Sequence, residues 1–170
     1  MVRAARAPEY EEVGRVILRA YREFARDDEG WRSYERALGD VAGRAVVAHV
    51  LVAVEGDRIL GTATLETGRR IEAEDDPPLA PHEAHVRMVG VDPAARGHGI
   101  GRQLMEACIR EARAAGKTLI TLHTTPWMKA AQRMYESMGF ERKTERDRHF
   151  ESGLVLLTYW LPLESDDRTP

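Results

Sequence analysis

The sequence predicts an α/β fold, a mixed central β-sheet flanked by helices, and three observations carry that expectation. Apolar runs rich in valine and leucine alternate with helical patterns along the chain. A strand-like stretch passes through a glycine-rich turn straight into a long helical repeat. The 170 residues, 43% of them apolar, suffice to bury one real core. The order of elements is helices, a hairpin, then strand–helix–strand–helix–strands, which means a mixed sheet with helices on its faces.

Each element has its own signal. A short first strand is expected near Val2 to Ala5. From Glu9 the spacing of Val13, Val16, Ile17, Ala20 and Phe24 describes an amphipathic helix, broken by "DDEG" at 27 to 30. A second helical stretch runs from about Trp31 to Val41. "VVAHVLVAV", 46 to 54, holds too much valine to prefer helix; "EGD" turns tightly and "RILGTATLET" returns, so this reads as a β-hairpin. Residues 68 to 82, with "EAEDDPP", read as a long loop.

"AHVRMVGV", 84 to 91, is the next strand, ended by "DP". From Gly99 to Ala115 a helix places Ile100, Leu104, Met105, Cys108, Ile109 and Ala112 on one face, with Gly116 as its C-terminal cap. "KTLITLHT" is another strand, residues 128 to 138 form a short helix closed by Gly139, and "LVLLTYWL", 154 to 161, is a final strand. One domain is expected over residues 1–165, with a frayed tail at 166–170.

Charge and cysteine narrow the function classes. Lys plus Arg number 25 against 28 Asp plus Glu, so no strong overall field favours nucleic acid. No apolar run approaches the roughly 20 residues of a membrane helix, and "MVRAARAPEY" lacks a signal-peptide apolar core. Cys108 is the only cysteine, which leaves no internal disulfide and no thiolate cluster for a metal; it falls on a core-facing stripe. A cytoplasmic protein is expected. The apolar strand 154 to 161 reads equally as a central strand or as a homodimer interface.

The chemistry centres on "VGVDPAARGHGIGRQLMEACIREARAAG", residues 89 to 116. Gly97, Gly99 and Gly101 weaken the start of a helix, since glycine loses more entropy on folding than any other residue. A bare backbone there lets a bulky anion approach the unpaired N–H groups at the helix start, where the helix dipole adds partial positive charge. A structural turn with tight helix packing is the alternative. Arg102 breaks the dinucleotide pattern G-x-G-x-x-G, and no G-K-[ST] follows. What stands is R-x-x-G-x-G across Arg96, Gly99 and Gly101, preceded by "VDP".

This stretch resembles the acyl-CoA-binding segment of the GCN5-related N-acetyltransferase (GNAT) family, and "AAQRMYESMGF" matches the family's downstream motif. The resemblance covers about residues 46 to 161. It implies acetyl-CoA as co-substrate and no metal. The pyrophosphate would rest on the backbone of Arg96, Gly97, His98, Gly99, Ile100, Gly101 and Arg102, and the pantetheine arm on the strand edge at Val89, Gly90 and Val91. Tyr135 matches the tyrosine commonly assigned as the acid that protonates the departing thiolate. One departure is Met128, where many relatives carry an asparagine.

For the base, Glu83, His85 and Arg87 alternate onto one face of a strand, so His85 could take the amine proton, with Glu83 acting itself or orienting it. A half-buried structural histidine is the other reading, and His123 ranks behind His85. "HEAH" at 82 to 85 is not a zinc motif, because H-E-x-x-H needs one more residue. Tyr21, Phe24, Trp31, Tyr34 and Trp127 are candidate walls of an acceptor site. The acidic stretch 72 to 76 suggests a cationic amine, whereas Arg87 and Arg146 suggest a carboxylate. The function implied is acetyl transfer to a primary amine of a small molecule by direct attack. A protein N-terminal acetyltransferase and a non-catalytic acyl-CoA-binding module remain open.

Overall fold

Valine-rich runs become the spine of a twisted mixed sheet because they are buried on both of its faces. The computed structural model describes residues 1–68, 71 and 78–163. Among these the strands are β1 (Val2–Ala4), β2 (His49–Glu55), β3 (Arg58–Glu66), β4 (Glu83–Val91), β5 (Leu119–Thr124), β6 (Glu141–Arg142), β7 (Arg148–His149) and β8 (Val155–Pro162). The helices are α1 (Tyr10–Tyr21), α2 (Glu29–Gly39), α3 (Val41–Val47), α4 (Ile100–Ala114) and α5 (Lys129–Ser137). The sheet runs β1-β2-β3-β4-β5-β8-β6, with β7 also on β8. Only β4 and β5 pair in parallel; the other ladders are antiparallel.

Two cores follow from this layering. On one face Leu51, Ala53, Leu65, Val86, Ile120 and Leu122 pack with Leu104, Met105 and Cys108 of α4 and with Tyr135 of α5. On the other, Val50, Val52, Val54 and Ile59 pack with Val13 and Val16 of α1 and Val41 of α3. Burial on both sides makes β2 read as a continuous apolar run rather than an alternation.

The end of the second helix and the start of the second strand need correction. The helical stretch expected to reach Val41 stops at Gly39, and a separate helix then holds Val46 and Val47, so β2 starts at His49 rather than at residue 46. The cause is local capping: Asp40 accepts from the Gly43 N–H at 2.9 Å and starts α3, while Val41 anchors it in the core. Cap and packing together outweigh valine's preference for strand. The two-residue strands β6 and β7 were not anticipated, being too short for any alternation to show. The acidic residues 72–76 and the tail 166–170 lie outside the described residues. No helix among the described residues is long and apolar enough to cross a membrane.

One irregularity positions the site. Thr62 pairs with Gly90 and Thr64 with Arg87, so Ala63 of β3 stands opposite both Met88 and Val89 of β4. Met88 takes up the extra residue at φ +54°, a left-handed conformation that a non-glycine side chain adopts rarely. The parallel ladder of β4 with β5 covers only Glu83 to Val86 against Leu119 to Leu122. Beyond that point, at the bulge, β4 has no ladder partner on its β5 side among the described residues.

Candidate active site

The turn between β4 and α4 is built to present backbone. Asp92 ends the strand; its Oδ1 accepts from the Ala94 N–H at 3.0 Å, and Oδ2 accepts both Nε and Nη2 of Arg19 at 3.0 and 2.8 Å. Gly97 and Gly99 follow at φ +81° and +74°, and a Cβ added at either would meet nothing within 4 Å. The successive N–H groups of Gly97, His98, Gly99, Ile100, Gly101 and Arg102 find no acceptor among the described residues; the first to close is Gln103, onto the Gly99 carbonyl at 3.0 Å. A bare, outward run of N–H groups at the start of a 15-residue helix suits a pyrophosphate. The residues present therefore fit acetyl-CoA.

The three glycines do not share one role. At Gly101 a Cβ would stand 3.2 Å from Met134 Sδ, so its bareness serves the packing of α5 on α4. Gly90 is bare because α1 crosses it: a Cβ would lie 2.4 Å from Ile17 Cδ1 and 3.0 Å from Ala20 Cβ. The Arg96 side chain turns to the end of α1, where Nη2 donates to the Ala20 carbonyl at 2.9 Å and Nη1 pairs with Glu23 at 2.6 Å. Arg102 donates to Ser137 Oγ at 2.6 Å. Val89 and Val91 are half-buried against the α4 core, and His98 is exposed.

Tyr135, carried by α5, lies on the α4 face of the sheet. Its buried ring packs on Phe140 and Tyr159, with centroids 5.9 and 6.0 Å apart, while its hydroxyl bonds to no described residue. Burial pushes the hydroxyl well above the ordinary phenol range, and Cys108 and Tyr34 reinforce this, so it is protonated at neutral pH. Tyr21 and Tyr34, 6.1 Å apart by ring centroid, pack on the opposite face around Ile17, Leu38 and Met88.

On the α1 face the proposed bases meet in a pocket of about 120 Å³, lined by Glu83, His85, Thr121, His123 and Arg146 among others. His85 Nδ1 lies 2.8 Å from Thr121 Oγ1, and that hydroxyl donates to the Ala84 carbonyl at 3.3 Å. With its single proton so used, Thr121 accepts from Nδ1–H, which leaves the His85 lone pair on Nε2. The His123 ring lies 4.9 Å away, centroid to centroid. Glu83 is held by Arg146 at 2.8 Å. Arg142 and Asp147 clip the preceding turn to Thr158 of β8, which fixes Arg146 in place. His85 is thus hydrogen-bonded to Thr121 of the neighbouring strand, and Glu83 is ion-paired with Arg146. Thr121 was not singled out from sequence; only the β4–β5 register reveals it.

Other expectations fall into place around this centre. Cys108 is fully buried and its thiol is pushed up to about 12, first by burial and then by Glu111, so it is a core residue. Tyr21 contacts Phe24 and Tyr34, and Tyr34 contacts Trp31, while Trp127 stands apart under Arg26 at 4.3 Å. Met128 Sδ accepts from Thr124 Oγ1 at 3.6 Å.

Comparison with known proteins agrees with the geometry. The family model "Acetyltransferase (GNAT) family" matches residues 10–140. A mycothiol acetyltransferase of Thermobispora bispora is 44% identical over 59 residues, which is 35% of this chain and 20% of that protein. N-alpha-acetyltransferase RimI of Mycobacterium tuberculosis is 37% identical over 70 residues, 41% of this chain and 42% of that protein. The chain therefore spans less than half the length of these curated relatives. Among solved structures, yncA of Salmonella typhimurium with its cofactor acetyl-CoA superposes at a TM-score of 0.70 and 22% identity, covering 100% of this chain and 96% of that one. The ribosomal-protein-S18-alanine N-acetyltransferase of Escherichia coli gives 0.70 at 17%, covering 100% and 98%. The chain belongs to the GNAT acetyltransferase family.

Proposed function

We propose that the protein transfers an acetyl group from acetyl-CoA to the primary amine of a small molecule, by direct attack of the amine. The observation that carries this is the unpaired N–H run from Gly97 to Arg102 at the start of α4, with a protonated Tyr135 buried on the same face of the sheet. The bound thioester supplies an activated acetyl carbonyl. The backbone of β4 from Arg87 to Val91, without a ladder partner toward β5, offers hydrogen bonds to an extended amide-containing arm. The acceptor amine approaches from the α1 face, where His85 Nε2 takes its proton directly or through water. Tyr135 donates a hydrogen bond to the departing sulfur; because burial raises its pKa, it serves as a donor and not as a phenolate base. The small volume at His85 favours a small amine over a folded substrate. A sole, buried cysteine suits a reducing compartment such as the cytoplasm.

The test is thiol release from acetyl-CoA across a panel of amines, including a short peptide with a free N-terminus. Tyr135→Phe should lower kcat about 100-fold, the scale of a lost proton donor, and leave acetyl-CoA affinity unchanged. An acetyl-CoA complex inert toward every amine would favour a non-catalytic module.

A further inference from the structure

Arg44 is a charged side chain with only 3% of its surface exposed, held on α3 behind the tyrosines of the acceptor face. Its Nη1 donates to the carbonyls of Ala37 and Leu38 at 2.6 and 2.7 Å, at the end of α2. Leu38 in turn packs with Ile17 and Met88, a cluster against which Tyr21 and Tyr34 also pack. The opposite edge of the guanidinium, Nε and Nη2, is buried and has no hydrogen-bond partner.

An interior cation whose donors are left unpaired is strongly disfavoured unless an anion meets it. Asp40 is the carboxylate that acts on Arg44, yet it is exposed and spends its Oδ1 on the cap of α3. The unpaired edge is the one that grips a carboxylate with two parallel N–H···O bonds. Arg87 adds a second guanidinium on the same face, already neighboured by Glu66 at 3.4 Å, which leaves Arg44 as the cation in want of a counter-ion.

We propose that Arg44 binds a carboxylate of the acceptor, so that the preferred acceptor is an amino acid or another amine with a carboxylate close to its amino group. The carboxylate then lies behind Tyr21 and Tyr34, and the amine is left facing the unpaired edge of β4 and Tyr135. The proposal rests on the amine-acetylation reading given above and deepens it.

The experiment compares matched amines that differ only by the carboxylate: phenylalanine with 2-phenylethylamine, and leucine with 3-methylbutylamine. Thiol release from acetyl-CoA gives kcat/KM for each. The wild type should favour the carboxylate member of each pair about 10- to 100-fold, the scale of a charge-assisted bidentate contact. Arg44→Met should bring that ratio near one while acetyl-CoA affinity is retained. Should Arg44→Met fail to fold, Arg44→Lys decides, since it keeps the charge but cannot form the fork; a merely structural arginine would change stability and leave the ratio alone. A wild type indifferent to the carboxylate, or a ratio unmoved in Arg44→Lys, overturns the proposal.

Should no amine be acetylated, thermal unfolding with N-acetylphenylalanine and with N-acetyl-2-phenylethylamine separates the two claims. Stabilisation by the first alone, lost in Arg44→Lys, upholds the carboxylate site and counts against the reaction. Equal effects of both overturn the site.

Discussion

Gly90→Ala tests how tightly α1 is seated over the bulged strand. The added methyl would stand 2.4 Å from Ile17 Cδ1 and 3.0 Å from Ala20 Cβ, with Tyr21 Cε2 at 3.5 Å. Carbon atoms pack best at about 3.5–4.0 Å, so Ile17 must rotate and the helix must also retreat by roughly 0.5–1 Å. Ile17 is wholly buried. Overpacking of this kind costs about 1–3 kcal/mol. At about 2–4 °C per kcal/mol for a chain of this size, a cost near 2 kcal/mol lowers Tm by about 4–8 °C.

The mechanism, and not only the size, can be checked. Ile17→Val removes the clashing Cδ1 and by itself costs about 0.5–1.5 kcal/mol. Combined with Gly90→Ala it should relieve part of the strain, so the two changes should fall short of additivity by at least about 0.5 kcal/mol. Urea unfolding of the four proteins measures this. Because Tyr21 sits one turn beyond Ile17, Gly90→Ala should also depress kcat/KM for the acceptor more than acetyl-CoA affinity. Additive effects, or a Gly90→Ala variant as stable as the wild type, would refute the close-approach account.

Three further outcomes are expected. Cys108, buried and titrating at about 12, should resist a thiol reagent at pH 8 until the chain is unfolded in urea, after which one thiol should react. For Asp147, burial alone would raise the pKa, but the Arg142 guanidinium and the Thr158 N–H outweigh it and hold the carboxyl below its ordinary range; Asp92 is held down in the same way by Arg19 and the Ala94 N–H. A depressed folded pKa gives stability that is present above the unfolded value, about 3.9, and is lost as pH falls through the folded one. The urea midpoint should therefore hold from pH 7 to 5 and fall below about pH 4, less steeply in Asp147→Asn. Thr121→Val, which removes the acceptor that fixes the His85 tautomer, should lower kcat about 10-fold and His85→Gln about 100-fold; equal losses in both would show that Thr121 holds the ring's position rather than its proton.

Much of this architecture was legible because the signals are local. The glycine turn, the periodicity of α1 and α4 and the hairpin at Gly56 each state themselves within a few residues. What escaped depends on partners distant in sequence. The boundary between α3 and β2 was misplaced because Asp40 caps a helix that valines would otherwise leave. Met88 carries no turn residue, so its left-handed bulge follows from pairing with β3 and not from its own preference. Arg96 and Gly101 were read as parts of one phosphate loop, yet the Arg96 side chain serves α1 and the bareness of Gly101 serves α5. Arg44 drew no notice, since nothing near it in sequence shows that the middle of a short helix will be buried.

The central claim is that backbone N–H groups between Gly97 and Arg102 hold the pyrophosphate of acetyl-CoA, and a matched pair of variants tests it. Gly99→Glu and Gly116→Glu place the same side chain at φ +74° and +70°, at opposite ends of α4, each with nothing within 4 Å of the new Cβ. The backbone penalty, about 1–2 kcal/mol, is therefore shared, and only the first intrudes on the N–H run. Calorimetric titration with acetyl-CoA should show Gly116→Glu binding as the wild type does and Gly99→Glu weakened at least about 10-fold. Equal affinity in Gly99→Glu and the wild type would contradict the account.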